Sequence, residues 1–282
     1  MSNSREMKKQ MKLLPAYVPL VLWLVFCLFT VGWLFCASLS TTREIFGGEL
    51  LKSGLHFENY VKAWVNNKIA QYFMNSVIYA TVSCAFIVLI AAPAAYVIAK
   101  RQFKFRGFVK SLFVIGMSIP SIMLVIPMYS VLMRLGMVGH KSTMILLYVS
   151  MSIPYTVYFL ISFFSSVPSA LEEAALIDGC PPYKAFWKVM FPMAQPGIIT
   201  VTIFNFLAIW NEYFMSLIFG NSDNSVRSLA VGLQNMINTM RYTGDYAGLF
   251  AAIIIVFMPT FIIYLLLSDK IIAGVTGGAV KG

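Results

Sequence analysis

Residues Ser169–Pro192 read SALEEAALIDGCPPYKAFWKVMFP, a polar-bearing stretch within an otherwise strongly apolar chain. Ser169 and Glu172 have the spacing of a capping box, in which the serine side chain accepts from a free backbone N–H and the glutamate reaches back to the cap. A helix is predicted to start there. Leu171, Ala174, Ala175 and Asp178 fall at i, i+3, i+4 and i+7, a narrow face of mostly small side chains that permits close approach to another surface. Gly179 stands where a left-handed residue ends a helix, and Pro181 and Pro182 suit the turn and the first position of a second one. The stretch therefore predicts a short helix-turn-helix at a membrane surface.

What flanks it makes the surface a membrane. Of 282 residues 59% are hydrophobic and 11% charged, against roughly 25% charged in a soluble domain. Six runs free of Asp, Glu, Lys and Arg are long enough to cross hydrocarbon: Leu13–Thr42, Ile69–Ala99, Ser111–Met133, Ser142–Leu171, Val189–Asn211 and Tyr246–Ser268. Lipid offers the backbone no hydrogen-bond partner, so each run must satisfy its own as a helix. The fold class is an all-α membrane protein with six transmembrane helices and a helix-turn-helix between spans four and five. The first run exceeds the apolar core of a cleavable signal and is expected to stay attached.

The formal net charge of +10 reflects topology rather than nucleic-acid binding. With the N-terminus in the cytoplasm, thirteen of the 21 Lys and Arg residues lie inside, in shorter loops, and eight outside. Both termini are then cytoplasmic. The chain divides into a basic head over 1–12, a six-span membrane domain over 13–269 that includes the 169–192 loop, and a tail over 270–282. Cys27, Cys36 and Cys84 fall in apolar spans and Cys180 in the 169–192 loop, so no disulfide framework follows. His56 and His140 stand in separate outer loops without ligand spacing, which argues against a metal site.

The motifs exclude several chemistries. There is no G-x-x-x-x-G-K-[ST] phosphate cradle, no nucleophile elbow and no H-E-x-x-H, so no catalytic residues are assigned. Glu212 follows the fifth run directly, and because span five continues past it to about Gly220 it is the lone formal charge inside the six spans. A buried ionisable group in lipid is a functional candidate. Asn205 lies two helical turns earlier on nearly the same face, and Trp210 and Asn211 flank the glutamate. These four form a candidate polar and aromatic strip on a translocation path, suited to sugar hydroxyls and ring faces. The same residues could instead hold span five to a neighbouring helix. Pro120, Pro127 and Pro154 are expected to bend spans three and four. Asn221–Asp245 reads as a solvated outer loop, and the glycines after Lys270 as unable to hold a regular helix.

The 169–192 stretch resembles the EAA loop of ATP-binding-cassette importer permeases at Glu173, Ala174, Ala175, Gly179 and Pro192. The likeness extends over the chain. TTREIF, FENYVKAW and YFMNSVIYA near the first outer loop, AAPAAYVIAKRQFKFRG after span two, FNFLAIWNEYF in span five and the tail from Ser268 are similar to permeases of maltose-type carbohydrate importers. The resemblance implies that Glu172, Glu173, Ala174, Ala175, Asp178 and Gly179 dock on an ATPase subunit, and that Val275, Thr276, Gly277 and Gly278 insert between two ATPase subunits. Its implied partners are a second similar permease, two ATPase subunits, an extracytoplasmic solute-binding protein and membrane lipid. No cofactor is expected on this chain, ATP and Mg belonging to the ATPases. The expected function is alternating-access import of a sugar or oligosaccharide across a bacterial cell membrane. Alternatives are a polyamine or other small-solute permease, an ion-coupled secondary transporter, or a membrane sensor.

Overall fold

The computed structural model describes the backbone of residues 2–220 and 225–279, and the side chains of residues 15, 17–220 and 225–270. In chain order the helices are α1 (Ser2–Ser38), α2 (Thr42–Gly47), α3 (Glu58–Val61), α4 (Ile69–Lys100), α5 (Arg106–Ser118), α6 (Ser121–Arg134), α7 (Lys141–Ser166), α8 (Ser169–Ile177), α9 (Pro182–Ala185), α10 (Phe191–Met193), α11 (Gln195–Trp210), α12 (Phe214–Phe219), α13 (Leu229–Thr243) and α14 (Tyr246–Ala279). π-helical turns extend α3 over Lys62–Asn66 and join α9 to α10 over Phe186–Met190. Among the described residues there is no strand.

Four helices are each long and apolar enough to span a bilayer: α1 over Tyr17–Ser38, α4, α7, and α14 over Tyr246–Lys270. The other two expected spans are bent pairs: the bend in span three was expected from its prolines, and the one in span five was not. α5 and α6 meet at 94°, and Pro182–Met193 meets α11 at 75°. The first bend follows from Pro120, whose ring pushes Ile119 out of the helical region to ψ 117°. Pro127 and Pro154 lie inside α6 and α7 without ending them. Within span five the straight helix α11 begins only at Gln195, because Ala194 leaves helical geometry at ψ 2° two residues before Pro196. It also ends early, at Trp210, before the separate α12.

Two compact units are resolved, Met1–Asn67 with Met236–Ile255, and Lys68–Asn235 with Val256–Gly282. In the first, α2 opens with a formed capping box. Glu44 N–H donates to Thr41 Oγ1 at 3.3 Å, and Thr41 N–H donates to Glu44 Oε2 at 2.8 Å. The Ser53 hydroxyl, with the Thr41 and Ser53 amides, holds the Glu44 carboxyl down at about 2. Trp33 meets Phe250 edge-on at 5.5 Å, and Phe46 meets Tyr246 at 4.7 Å.

In the second unit α4 and α7 form the core with α11 and the π turn before α10. Ala91, Ala92 and Ala95 are fully buried on α4, and small residues of this kind let membrane helices approach closely. Val157, Leu160 and Phe164 of α7 fill the opposing surface, with Phe186, Met190 and Val201 completing it.

Residues 225–245 depart from the solvated loop expected over Asn221–Asp245. From Leu229 to Thr243 they form α13, and Val226, Leu229, Val231 and Met236 are buried. Apolar residues at 229, 233, 236, 237 and 240 repeat with helical spacing, a period hidden among the Asn, Thr and Ser residues. The turn leading into α13 is anchored on α4. Asn75 Nδ2 donates to the Ser225 and Arg227 carbonyls at 2.8 and 2.9 Å, and Tyr79 donates to the Val226 carbonyl at 2.5 Å. Residues 221–224 lie outside the described residues.

The tail is also corrected, since α14 runs through Gly277 and Gly278 to Ala279. Glycine costs about 1 kcal/mol relative to alanine in a helix, yet extending a formed helix needs no new nucleus. Of the expected tail contacts, the Val275 and Thr276 side chains, and any partner contact of Gly277 and Gly278, lie outside the described residues.

Candidate functional site

The 169–192 stretch forms the expected helix-turn-helix, α8 followed by α9. Gly179 has φ +77° and closes a Schellman motif: Cys180 N–H donates to the Ala175 carbonyl at 2.9 Å, and Gly179 N–H to the Leu176 carbonyl at 3.1 Å. Pro181 caps α9, and Pro182 takes its first turn, where a missing N–H costs nothing. Glu173, Ala174, Asp178 and Gly179 are exposed, and Ala175 is half-buried. Around them lie Ile177, 85% exposed, Tyr183 and Trp187. Apolar groups of this size, grouped on a helix-turn-helix, make a surface suited to a protein partner.

The capping box expected at Ser169 does not form. Pro168 is the N-cap residue and offers no side-chain bond, and Ser169 already belongs to the first helical turn. Glu172 is diverted instead. It is 4% exposed, and its Oε1 accepts from the Tyr96 hydroxyl at 2.5 Å and from Arg101 Nη2. Arg101 Nη2 also donates to the Tyr96 oxygen at 2.9 Å, so three side chains close a ring of hydrogen bonds. Beside them Lys100 donates to the Val167 carbonyl, and Arg106 donates to the Ile98 and Ala99 carbonyls at 2.7 and 3.1 Å. A charge-assisted pair is stronger than a neutral cap, which explains why the local motif yields. Sequence reasoning assigned Lys100 and Arg101 only to topology and passed over Tyr96. The available signal was a tyrosine hydroxyl within an apolar run, which needs a partner when buried.

The expected strip in span five separates into different environments. Asn205 is buried, with Nδ2 donating to Thr156 Oγ1 at 2.9 Å, which ties α11 to α7. Trp210 is 2% exposed, stacks on Phe206 at 5.8 Å and donates from Nε1 to the Val256 carbonyl at 3.2 Å. Asn211 is exposed and bonds back to the Leu207 carbonyl. Glu212 lines a cavity of about 300 Å³, together with Ser121, Tyr148, Met151, Ser152 and Met215. The strip breaks up because the helix ends at Trp210 and the face shared by Asn205 and Glu212 does not continue.

Glu212 sits in that break. Its oxygens accept from the amides of Met215 at 2.6 Å and Ser216 at 3.1 Å, and from the Tyr148 hydroxyl at 2.9 Å. The carboxylate therefore satisfies two free N–H groups at the start of α12 and links the break to α7. Tyr148 was missed in the sequence for the same reason as Tyr96. Replacing Glu212 with Ala leaves all three donors without this acceptor and is expected to cost on the order of 2 kcal/mol. A drop in the detergent melting temperature of purified Glu212→Ala, with Glu212→Gln intermediate, checks this. Equal melting of all three proteins would remove the capping account.

Comparison with known proteins places this arrangement. Residues 87–276 match the family of binding-protein-dependent transport system inner membrane components. The diacetylchitobiose uptake system permease of Streptomyces coelicolor is 34% identical over 263 residues, 93% of this chain and 87% of that one. The trehalose/maltose transport system permease of Thermococcus litoralis is 29% identical, covering 93% of this chain and 94% of its own. In fold, the chain resembles a solved bacterial ABC transporter involved in import of the acidic polysaccharide alginate, with TM-score 0.79, 20% identity and coverage of 90% of this chain and 94% of that one. The chain thus belongs to the binding-protein-dependent transport system inner membrane component family: it is a multi-pass permease subunit of an ABC importer, a translocation component that works with ATPase and binding-protein components and is not itself an enzyme.

Proposed function

We propose that this chain carries a sugar or oligosaccharide, delivered by an extracytoplasmic binding protein, across a bacterial cell membrane by alternating access. The observation that carries the reading is the exposed apolar tip of α8 and α9, held in shape by the Schellman turn at Gly179. It suits docking of Glu173, Ala174, Ala175, Asp178 and Gly179 in a cleft of an ATPase subunit. Relatives named for diacetylchitobiose and trehalose/maltose uptake support a sugar cargo. On this reading the 13–269 region is the membrane domain, with head and tail cytoplasmic. A second, similar permease completes the path, and two ATPase subunits hold ATP and Mg.

The cycle follows from how the loop is connected. ATP binding closes the ATPase pair, the docked α8 moves with it, and α7, joined to α8 through Val167 and Pro168, tilts the helices around the cavity. The 300 Å³ space beside Tyr148 and Glu212 is the candidate segment of the path. Its mixed lining suits hydroxyls and an apolar sugar face. The Glu212 oxygens are already committed to three donors, which disfavours a polyamine ammonium as the cargo group. Purifying the complex with its co-expressed partners and screening sugars and polyamines for stimulation of ATP hydrolysis tests the proposal. Stimulation by a sugar is expected, and stimulation by polyamines alone would replace the cargo. Deleting 275–282 should lower stimulated hydrolysis at least severalfold while the spans still insert. Full hydrolysis by the truncated complex would remove the tail from the mechanism.

A further inference from the structure

We propose that Glu172 is a positioning residue that latches α8 to the C-terminal end of α4, so that displacement of the docking loop enters α4 as well as α7. This deepens, and rests on, the coupling role proposed above. Covalently, α8 follows α7 and leads through the Gly179 turn into α9, and it packs on α9 and the following π turn. Its link to α4 is polar. Glu172 accepts from Tyr96 on the last turns of α4 and from Arg101 immediately after it. Lys100 reaches from the final residue of α4 to the Val167 carbonyl, which ends α7, and lies 3.4 Å from Ser169 Oγ.

Three features favour a latch over simple adhesion. Glu172 is the one charged side chain in the buried class among the described residues, and desolvating it costs energy that apolar packing would not. With its carboxylate buried and its guanidinium half exposed, the pair adds less stability than apolar packing would, and its role here is to fix geometry. The ring is also closed, because Arg101 donates to both Glu172 and Tyr96 and its guanidinium lies 5.6 Å from the Tyr96 ring centre. A closed ring resists sliding in any one direction. Finally, Arg106 bonds to the Ile98 and Ala99 carbonyls, stiffening the end of α4 on which the latch pulls. The exposed face of α8 remains free for the ATPase, so docking and latching use opposite sides of one short helix.

The test uses the full complex in lipid, with native cysteines replaced and spin labels at Ala170→Cys on α8 and Val97→Cys on α4, both exposed and outside the docking residues. Distances are measured without nucleotide and after trapping with Mg-ATP and vanadate. A second pair, Ala170→Cys with Leu135→Cys, reports whether α8 moves at all. In the wild-type background the first distance is expected to hold while the second shifts. With Glu172→Gln the first distribution should about double in width on trapping, since the neutral amide keeps a bond to Tyr96 and leaves Arg101, which is half exposed, free to hydrate. Arg101→Lys with Glu172 intact, which keeps a cation beside the carboxylate, should keep most of the narrow distribution. Tyr96→Phe, which removes one bond of the ring, should widen it less. Glu172→Gln combined with Arg101→Met should be no wider than the worse single variant, the mark of two residues acting as one unit. If the second pair does not shift in the wild-type background, the coupling reading fails. If it shifts while Glu172→Gln leaves the first distribution narrow, the latch alone is overturned.

Discussion

Gly197→Val is expected to cause the largest loss of folded complex of any single substitution in the membrane helices considered. A Cβ added at Gly197 would lie 2.3 Å from Phe163 Cγ and 2.6 Å from its Cδ atoms. These atoms are the near side of the ring, so rotating its far end gives no relief. Gly197 is buried near the start of α11, and α7 cannot retreat without breaking its contact with α4. Overpacking of this kind costs roughly 1–3 kcal/mol and occasionally more, and a β-branched side chain lies at the upper end. Purified yield and detergent melting temperature should fall in the order glycine, alanine, valine. Phe163→Leu placed with Gly197→Ala should recover part of the loss by removing ring atoms. If Gly197→Val melts with the wild type, the close approach of α11 to Phe163 is not a feature of the folded protein.

Gly179→Val should act on coupling rather than on assembly. Nothing lies within 4 Å of a Cβ at this position, so the effect is free of steric contact with neighbours. What remains is the backbone, held at φ +77°. An L-residue in the left-handed region pays roughly 1–2 kcal/mol, and a branched Cβ is the least tolerant case. The helix can escape by unwinding its last turn, which would move Asp178 and Ile177 from the docking surface. Uptake per ATP hydrolysed is expected to fall at least severalfold in Gly179→Val. Gly179→Asn should stay near the wild type, because asparagine tolerates this conformation. Equal coupling in all three would separate the Schellman turn from the mechanism.

The two S/T-x-x-E motifs show where sequence reading succeeds and where it stops. Thr41 and Glu44 form the capping box that their spacing specifies, since nothing more strongly charged reaches the exposed Glu44 carboxylate. Ser169 and Glu172 have the same spacing, but Arg101 and Tyr96, some 70 residues away, take the carboxylate. A local motif gives no sign of that competitor. The same division runs through span five: its apolar run is plain, but Ala194 and Asn211 mark its ends only through backbone angles. In α13 the helical period was present but masked by polar residues, so composition misled where periodicity would not have.

The sequence by itself determined that this chain crosses a membrane as helices, because long uncharged runs have no other way to satisfy their backbone in lipid. It also determined the helix-turn-helix at 169–192, because a glycine stop and a proline start act within a few residues of themselves. The tertiary structure alone decided which polar groups meet. Glu172 with Arg101, Glu212 with Tyr148 and Asn205 with Thr156 are pairings between helices far apart in the chain. A buried polar atom must find a partner, yet which one it finds depends on the packing and rotation of whole helices, and those follow from the summed contacts of many side chains rather than from any short stretch.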